Sequence, residues 1–164
     1  MDALPDAGRA PDEPSGHETF GAGVRLLARR EHSRVELRRK LRTRGHPPEA
    51  VEQALARLGE YGYQSDARFA ESFVRSRVDR GQGRLKIVAA LRERGIDDGI
   101  ASALLDLGEP EWRRLATAAL HKRFGDAAPA DRAEWAKRAR FLAGRGFTSD
   151  VVSRVLDGGG TASG

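Results

Sequence analysis

The sequence predicts an all-α protein made of three tandem three-helix repeats that together form an elongated, curved body. Apolar residues follow a helical period along most of the chain, and no stretch shows the sustained alternation of a strand. A leucine followed four residues later by a glycine recurs with the glycines about 50 residues apart. The three pairs are Leu41 and Gly45, Leu91 and Gly95, and Leu142 and Gly146. Units of this size bury too little apolar surface to be stable alone, so neighbouring repeats should stack.

Each of these glycines stands where a helical run ends. A glycine there usually adopts the left-handed conformation, and the leucine four residues earlier then contacts the residue that follows the glycine. His46, Ile96 and Phe147 hold that following position. The same pattern for ending a helix therefore occurs three times, and we expect the role of these leucines and glycines to be structural.

The first repeat is predicted over residues 19–62, after an acidic leader at 1–18 that is too poor in large apolar residues to fold. Its first helix is expected at about 20–30. Ser33 and Glu36 form a capping-box pattern that starts a second helix. Pro47 and Pro48 permit a third helix start, because proline is tolerated in a first turn.

The second repeat is predicted over 63–108 and the third over 109–157, followed by a flexible tail at 158–164. In the second repeat, Ser65 or Asp66 can cap a helix, and the next helix is expected to contain Leu85, Val88, Ala89 and Leu91. In the third repeat, Trp112 and Trp135 are in register with apolar neighbours. Core positions are therefore favoured for both tryptophans over a role in stacking on bases.

Composition excludes several classes of protein. The chain has no cysteine, so disulfides and thiolate metal sites are absent. No run approaches the ~20 apolar residues of a membrane span, and no basic start followed by an apolar stretch indicates a signal peptide. We therefore expect a cytoplasmic protein. The net charge is +5, although residues 1–18 carry −4, so the remainder is strongly basic. Such a body favours polyanions or acidic protein surfaces, and a solvated arginine-rich surface without a partner is the alternative.

Two groups of basic residues are candidates for contact with a partner or with DNA. Arginines recur at intervals of four on the second helix, where Glu31 and Glu36 are expected to neutralise them in part. This first group is Arg34, Arg38 and Arg42. The second group surrounds a helix break predicted at Gly81 and Gly83. It consists of Arg75, Arg77, Arg80, Arg84 and Lys86. An arginine-rich helix end also complements the helix dipole, so a purely structural role is an equal alternative for the second group.

Catalytic patterns are missing from the sequence. No histidine pairs at a metal-binding spacing with another possible ligand on the same helix face, and no phosphate-binding glycine loop occurs. Asp97 and Asp98 resemble a carboxylate pair, but helix capping is the favoured interpretation. We expect no enzymatic activity, no metal and no cofactor.

The central segment resembles the RecX family of recombination regulators. The resemblance rests on an Asp-x-x-Phe-Ala-x-x-Phe segment, then an arginine, a glycine and Leu-x-x-x-Gly-Ile. The matching residues are Asp66, Phe69, Ala70, Phe73, Arg77, Gly83, Leu91, Gly95 and Ile96. The similarity extends over roughly residues 20–157.

This resemblance implies a helical protein that binds the RecA recombinase filament in its groove and modulates it. Inhibition of the ATPase, strand-exchange and coprotease activities is the implied outcome, in recombination, DNA repair and the SOS response. The chain is expected to be a monomer, and direct contact with single- or double-stranded DNA is a further implied possibility. Two alternatives remain open: a helix-turn-helix-like DNA-binding regulator, and a helical scaffold that binds an acidic protein surface.

Overall fold

The computed structural model describes residues 15–158, and within that range it contains nine α-helices and no strand. The helices are α1 (Gly16–Arg29), α2 (Arg34–Thr43), α3 (Pro48–Glu60), α4 (Asp66–Asp79), α5 (Arg84–Glu93), α6 (Asp98–Leu105), α7 (Glu109–Phe124), α8 (Arg132–Arg145) and α9 (Ser149–Asp157). Three consecutive groups of three helices confirm the predicted all-α repeat architecture. The chain forms two compact units, the first ending at Phe69 and the second beginning at Ala70, so the division falls within α4.

Helix α1 begins earlier than the sequence analysis predicted. The Ser15 hydroxyl accepts a hydrogen bond from the Glu18 backbone N–H at 3.1 Å, and the Glu18 side chain caps Ser15 in return. This capping box starts the helix at Gly16, so the prediction of an unfolded leader is wrong for residues 16–18. The remainder of that prediction, residues 1–14, lies outside the described range, as do residues 159–164 of the predicted tail.

The core of the first unit lies between α1, α2 and α3, with α1 packed mainly on α3. Its buried residues are Ala22, Leu26, Leu37, Leu41, Val51, Leu55 and Leu58. The predicted capping box at Ser33 is present, because its hydroxyl accepts from Glu36 N–H at 3.1 Å.

The three leucine–glycine marks form the helix ending that the sequence predicted. The residue after each glycine donates its backbone N–H to the marked leucine carbonyl at 3.1 to 3.2 Å. The glycines have positive φ values, with +88° at Gly45, +72° at Gly95 and +98° at Gly146. Each marked leucine is fully buried. The marks are therefore Schellman stops at the ends of α2, α5 and α8.

In the second unit, α7, α8 and α9 pack together, and α5 packs on α6. Trp112 is buried, donates its indole N–H to the Leu105 carbonyl at 3.2 Å and meets the Phe147 ring edge to face. Trp135 is half-buried and donates to the Asp157 carboxylate. The predicted helix with Leu85, Val88, Ala89 and Leu91 is present as α5. Its buried face is formed by Ile87 and Leu91, whereas Leu85 is 52% exposed.

Candidate polyanion-binding surfaces

The first unit carries an arginine ridge on α2, defined by Arg34, Arg38 and Arg42. Their spacing of four residues places the three side chains along one side of the helix. Arg38 makes a two-point contact with Glu52 of α3, from Nε to Oε1 at 2.6 Å and from Nη2 to Oε2 at 3.1 Å. The capping box and the buried leucines of α2 fix the helix on which the ridge stands.

Glu52 is the carboxylate that balances this ridge. Its hydrogen bond with Arg38, together with the charges of Arg34 and Arg42, holds the pKa of the Glu52 carboxyl below its ordinary value. The same contact raises the pKa of Arg38. The ridge is thus a row of three guanidinium groups with one carboxylate among them, and it retains a positive excess.

The two acids expected to neutralise the ridge in part each contact an arginine outside it. Glu31 contacts Arg68 at 3.0 Å, and Glu36 contacts Arg30 at 3.2 Å while also serving the α2 capping box. Both carboxylates therefore contact arginines outside the ridge, and partial neutralisation of the ridge by them stays a prediction.

The second unit carries a cationic cluster around the end of α4. The guanidinium carbons of Arg77 and Arg94 each lie 4.7 Å from the centre of the Phe73 ring, which is a cation–π distance for both. Burial, then the nearby charges of Arg94 and Arg80, lower the pKa of Arg77. Positive charges therefore accumulate here, at a place where an anion would relieve their repulsion.

Arg94 is the member of this cluster that sequence reasoning missed. It stands at the end of α5, where its Nη1 donates to the Ala90 carbonyl at 2.8 Å. Phe73 and Arg77 are four residues apart on one helix, so their contact was readable from the sequence. The approach of Arg94 to the same ring depends on how α4 and α5 pack, so no short sequence pattern predicts this contact.

The other predicted cations of the second unit have different surroundings. Arg75 is exposed and, two positions from Arg77, points to nearly the opposite side of α4. Arg84 lines a cavity of about 580 Å³ together with Asp106 and Asp150. Lys86 is exposed on the first turn of α5. The structure thus groups Arg77 with Arg80 and not with the whole predicted set.

Several predicted cations form no ion pair in the part of the chain that the structure describes. Within residues 15–158, ion pairs are formed by Arg38 but not by Arg34, Arg42, Arg75, Arg80, Arg84 or Lys86. Exposed cations without internal partners are the groups that attract phosphates or acidic side chains. The described part of the chain holds no cluster of three or more residues able to bind a metal ion. No helix in it is long and apolar enough to cross a membrane.

Comparison with known proteins gives one consistent family. Residues 20–58 match the first three-helix domain of RecX, residues 65–105 the second, and residues 111–156 the third.

Two relatives are each named "Regulatory protein RecX". The protein from Halorhodospira halophila is 50% identical over 131 residues, covering 80% of this chain and 81% of the relative. The protein from Chromohalobacter salexigens is 51% identical over 133 residues, covering 81% of this chain and 87% of the relative.

Two solved structures share the fold. The crystal structure of RecX from Lactobacillus salivarius has a TM-score of 0.73 at 23% identity and covers 87% of this chain and 95% of that one. A second structure, of a regulatory protein RecX, has a TM-score of 0.75 at 22% identity and covers 87% of this chain and 73% of that one.

Proposed function

The chain belongs to the RecX family of regulatory proteins, and on that premise we propose that it regulates the RecA recombinase by binding the RecA–DNA filament. The regulation is inhibitory and lowers the ATPase, strand-exchange and coprotease activities of the filament. It acts in recombination, DNA repair and the SOS response. The protein works in the cytoplasm as a monomer, by binding and without catalysis of its own.

The observation that carries this proposal is the match of all three domains to one family of regulators. A second line of support is physical. A RecA–DNA filament is a polyanion along its DNA, and each unit presents cations that form no ion pair with a carboxylate of residues 15–158. The proposed contact residues are the partner-free cations given above, together with Arg38 and Arg77.

The proposal is tested by measuring RecA ATPase activity on single-stranded DNA while this protein is added up to stoichiometric amounts. We expect the activity to fall as the protein approaches one copy per RecA protomer. Binding is measured in parallel on RecA–DNA filaments, on RecA alone and on DNA alone. Unchanged ATPase activity together with sequence-selective duplex binding would refute the proposal and favour a DNA-binding regulator.

The contact residues are tested separately from the function. Arg75→Glu combined with Arg80→Glu reverses two exposed charges that form no ion pair among the described residues, so the helices should stay folded. Inhibition by this variant should be weakened, and the weakening should shrink as salt rises. Arg140→Glu is a control for charge reversal elsewhere on the surface, because Arg140 is also exposed and lies outside both candidate surfaces. If the double variant inhibits as well as the Arg140→Glu control, the residues around the end of α4 are not contact residues, and the family-level proposal stays intact.

A further inference from the structure

The first unit exposes an aromatic patch that its core does not require. Tyr61 is 59% exposed and Tyr63 is 53% exposed, the largest exposures among the large hydrophobic side chains of residues 15–158. Their ring centres lie 6.0 Å apart, and the Phe20 ring lies 6.0 Å from Tyr61 and 6.5 Å from Tyr63. Phe20 also packs against the buried core, so it anchors the two tyrosines to the unit.

The backbone that carries the tyrosines is held by several hydrogen bonds. The Tyr63 N–H donates to the Leu58 carbonyl at 2.9 Å, which completes a helix stop at Gly62. Arg68 Nη2 donates to the Gly62 carbonyl at 2.7 Å and to the Tyr63 carbonyl at 3.1 Å. Arg68 is in turn held by Glu31. The exposed rings are thus mounted on a fixed turn, and little ordering is needed before they bind a ligand.

A cation belongs to the same patch. The Arg57 guanidinium lies 4.5 Å from the centre of the Phe20 ring and 5.9 Å from that of Tyr61. Within the described residues it forms no ion pair, although Glu60 is near in sequence. Around the patch, residues 15–69 carry eleven Arg and Lys against seven Asp and Glu. The patch therefore combines aromatic faces with a positive charge inside a basic unit.

We propose that Phe20, Tyr61, Tyr63 and Arg57 form a stacking platform for the unpaired bases of single-stranded DNA. Every base has a flat face that can stack on an aromatic ring, and the phosphates between bases suit an unpaired guanidinium. A protein partner that needed an apolar surface would not need the positive charge. Duplex DNA keeps its bases stacked inside the helix and offers the platform only phosphates. The platform stands independently of the proposed action on RecA, because it is a contact with DNA alone.

The test compares two labelled single strands of equal length and charge, one of thymidine nucleotides and one of abasic nucleotides. Binding is measured by fluorescence anisotropy without RecA, so failure here would not touch the proposed RecA regulation. The intact protein should bind the thymidine strand about tenfold more tightly than the abasic strand. Tyr61→Leu combined with Tyr63→Leu keeps apolar bulk and removes the aromatic faces. This variant should bring the ratio close to one and leave affinity for the abasic strand unchanged.

Two controls define the result. Tyr61→Phe combined with Tyr63→Phe should keep the tenfold ratio, because it keeps both rings. Leu85→Ala removes another exposed apolar side chain, outside the patch, and should also keep it. Equal affinity of the intact protein for both strands would overturn the proposal, as would a ratio that survives the double leucine change. Loss of binding to DNA-free RecA in that variant, with the ratio unchanged, would reassign the patch to a protein partner.

Discussion

The start of α5 rests directly on the turn that ends α8, and this contact is open to a decisive substitution. Gly83 N–H donates to the Arg145 carbonyl at 2.7 Å, and Leu85 N–H donates to the Gly146 carbonyl at 2.9 Å. A methyl group added at Gly83 would lie 2.3 Å from the backbone nitrogen of Phe147 and 2.4 Å from the carbonyl carbon of Gly146. Both neighbours are backbone atoms, so a side-chain rotation cannot relieve the overlap.

Gly83→Ala should therefore destabilise the second unit strongly. Its φ of −90° is open to alanine, so the cost comes from the contact and not from backbone strain. Overpacking at a tight site costs about 1–3 kcal/mol. Loss of the two hydrogen bonds adds about 1 kcal/mol each. We expect a total of about 3–5 kcal/mol.

Gly144→Ala provides the matched control. Gly144 lies within α8, and an added methyl group there would meet nothing within 4 Å. That substitution should stabilise the unit by about 0.5–1 kcal/mol through the helical preference of alanine. Urea unfolding followed by tryptophan fluorescence measures both variants, because Trp112 and Trp135 both lie in the second unit. Free energies of unfolding within about 0.5 kcal/mol of each other would refute the reasoning.

Three further predictions concern charge and burial. Glu52→Gln should release Arg38 from its ion pair and let it contact a DNA phosphate. The slope of log affinity against log salt for single-stranded DNA should then steepen by about 0.7. An unchanged slope would show that Arg38 does not reach the DNA. Burial, the largest cause, lowers the pKa of His32, whose ring nitrogens contact the Arg30 carbonyl and the Lys40 ammonium, so the folded state holds a neutral ring. Unfolding then takes up a proton as the pH falls below about 6.5, and stability measured by circular dichroism should decline there in the intact protein more steeply than in His32→Gln. Arg138→Ala should lower the free energy of unfolding by about 3 kcal/mol, as measured by tryptophan fluorescence. The substitution removes a side chain that is only 5% exposed and makes two hydrogen bonds, and it leaves a cavity. A loss under about 1 kcal/mol would contradict this.

Local features of the fold were predictable from the sequence. The stops at Gly45, Gly95 and Gly146 depend on residues within six positions of one another, so their pattern is written in one short segment. The capping box at Ser33 was predicted for the same reason. The box at Ser15 was equally readable, since glutamate follows serine at the same spacing, and it was missed because it lies in a segment otherwise poor in apolar residues.

Features that depend on packing between helices were not predictable in this way. Glu52 lies on a different helix from Arg38, with which it pairs, and Arg94 is 21 positions from the ring that it meets. Gly83 resembled a simple helix break in the sequence. Its true constraint comes from a turn more than 60 residues later, and no periodicity within a repeat encodes that contact.

The glycines at the ends of α2 and α8, Gly45 and Gly146, are alike in local geometry but unlike in what surrounds them. An added methyl group at Gly45 would meet nothing within 4 Å, whereas at Gly146 it would lie 2.4 Å from the Lys86 side chain and 2.6 Å from the Lys86 backbone nitrogen. Replacement of Gly45 therefore strains only the backbone, at about 1–2 kcal/mol. Replacement of Gly146 adds a collision with the docked start of α5.

The packing contacts of each cation determine whether its substitution can separate binding from folding. Arg75 and Arg80 are exposed and take part in no ion pair within residues 15–158, so reversing their charge leaves the packing intact. Arg77 lies half-buried against Phe73, and Lys86 stands beside the Gly146 turn. A loss of inhibition at either of these two positions would mix contact with stability. The loss is attributable to contact with a partner only where the side chain supports nothing else, which around the end of α4 means Arg75 and Arg80.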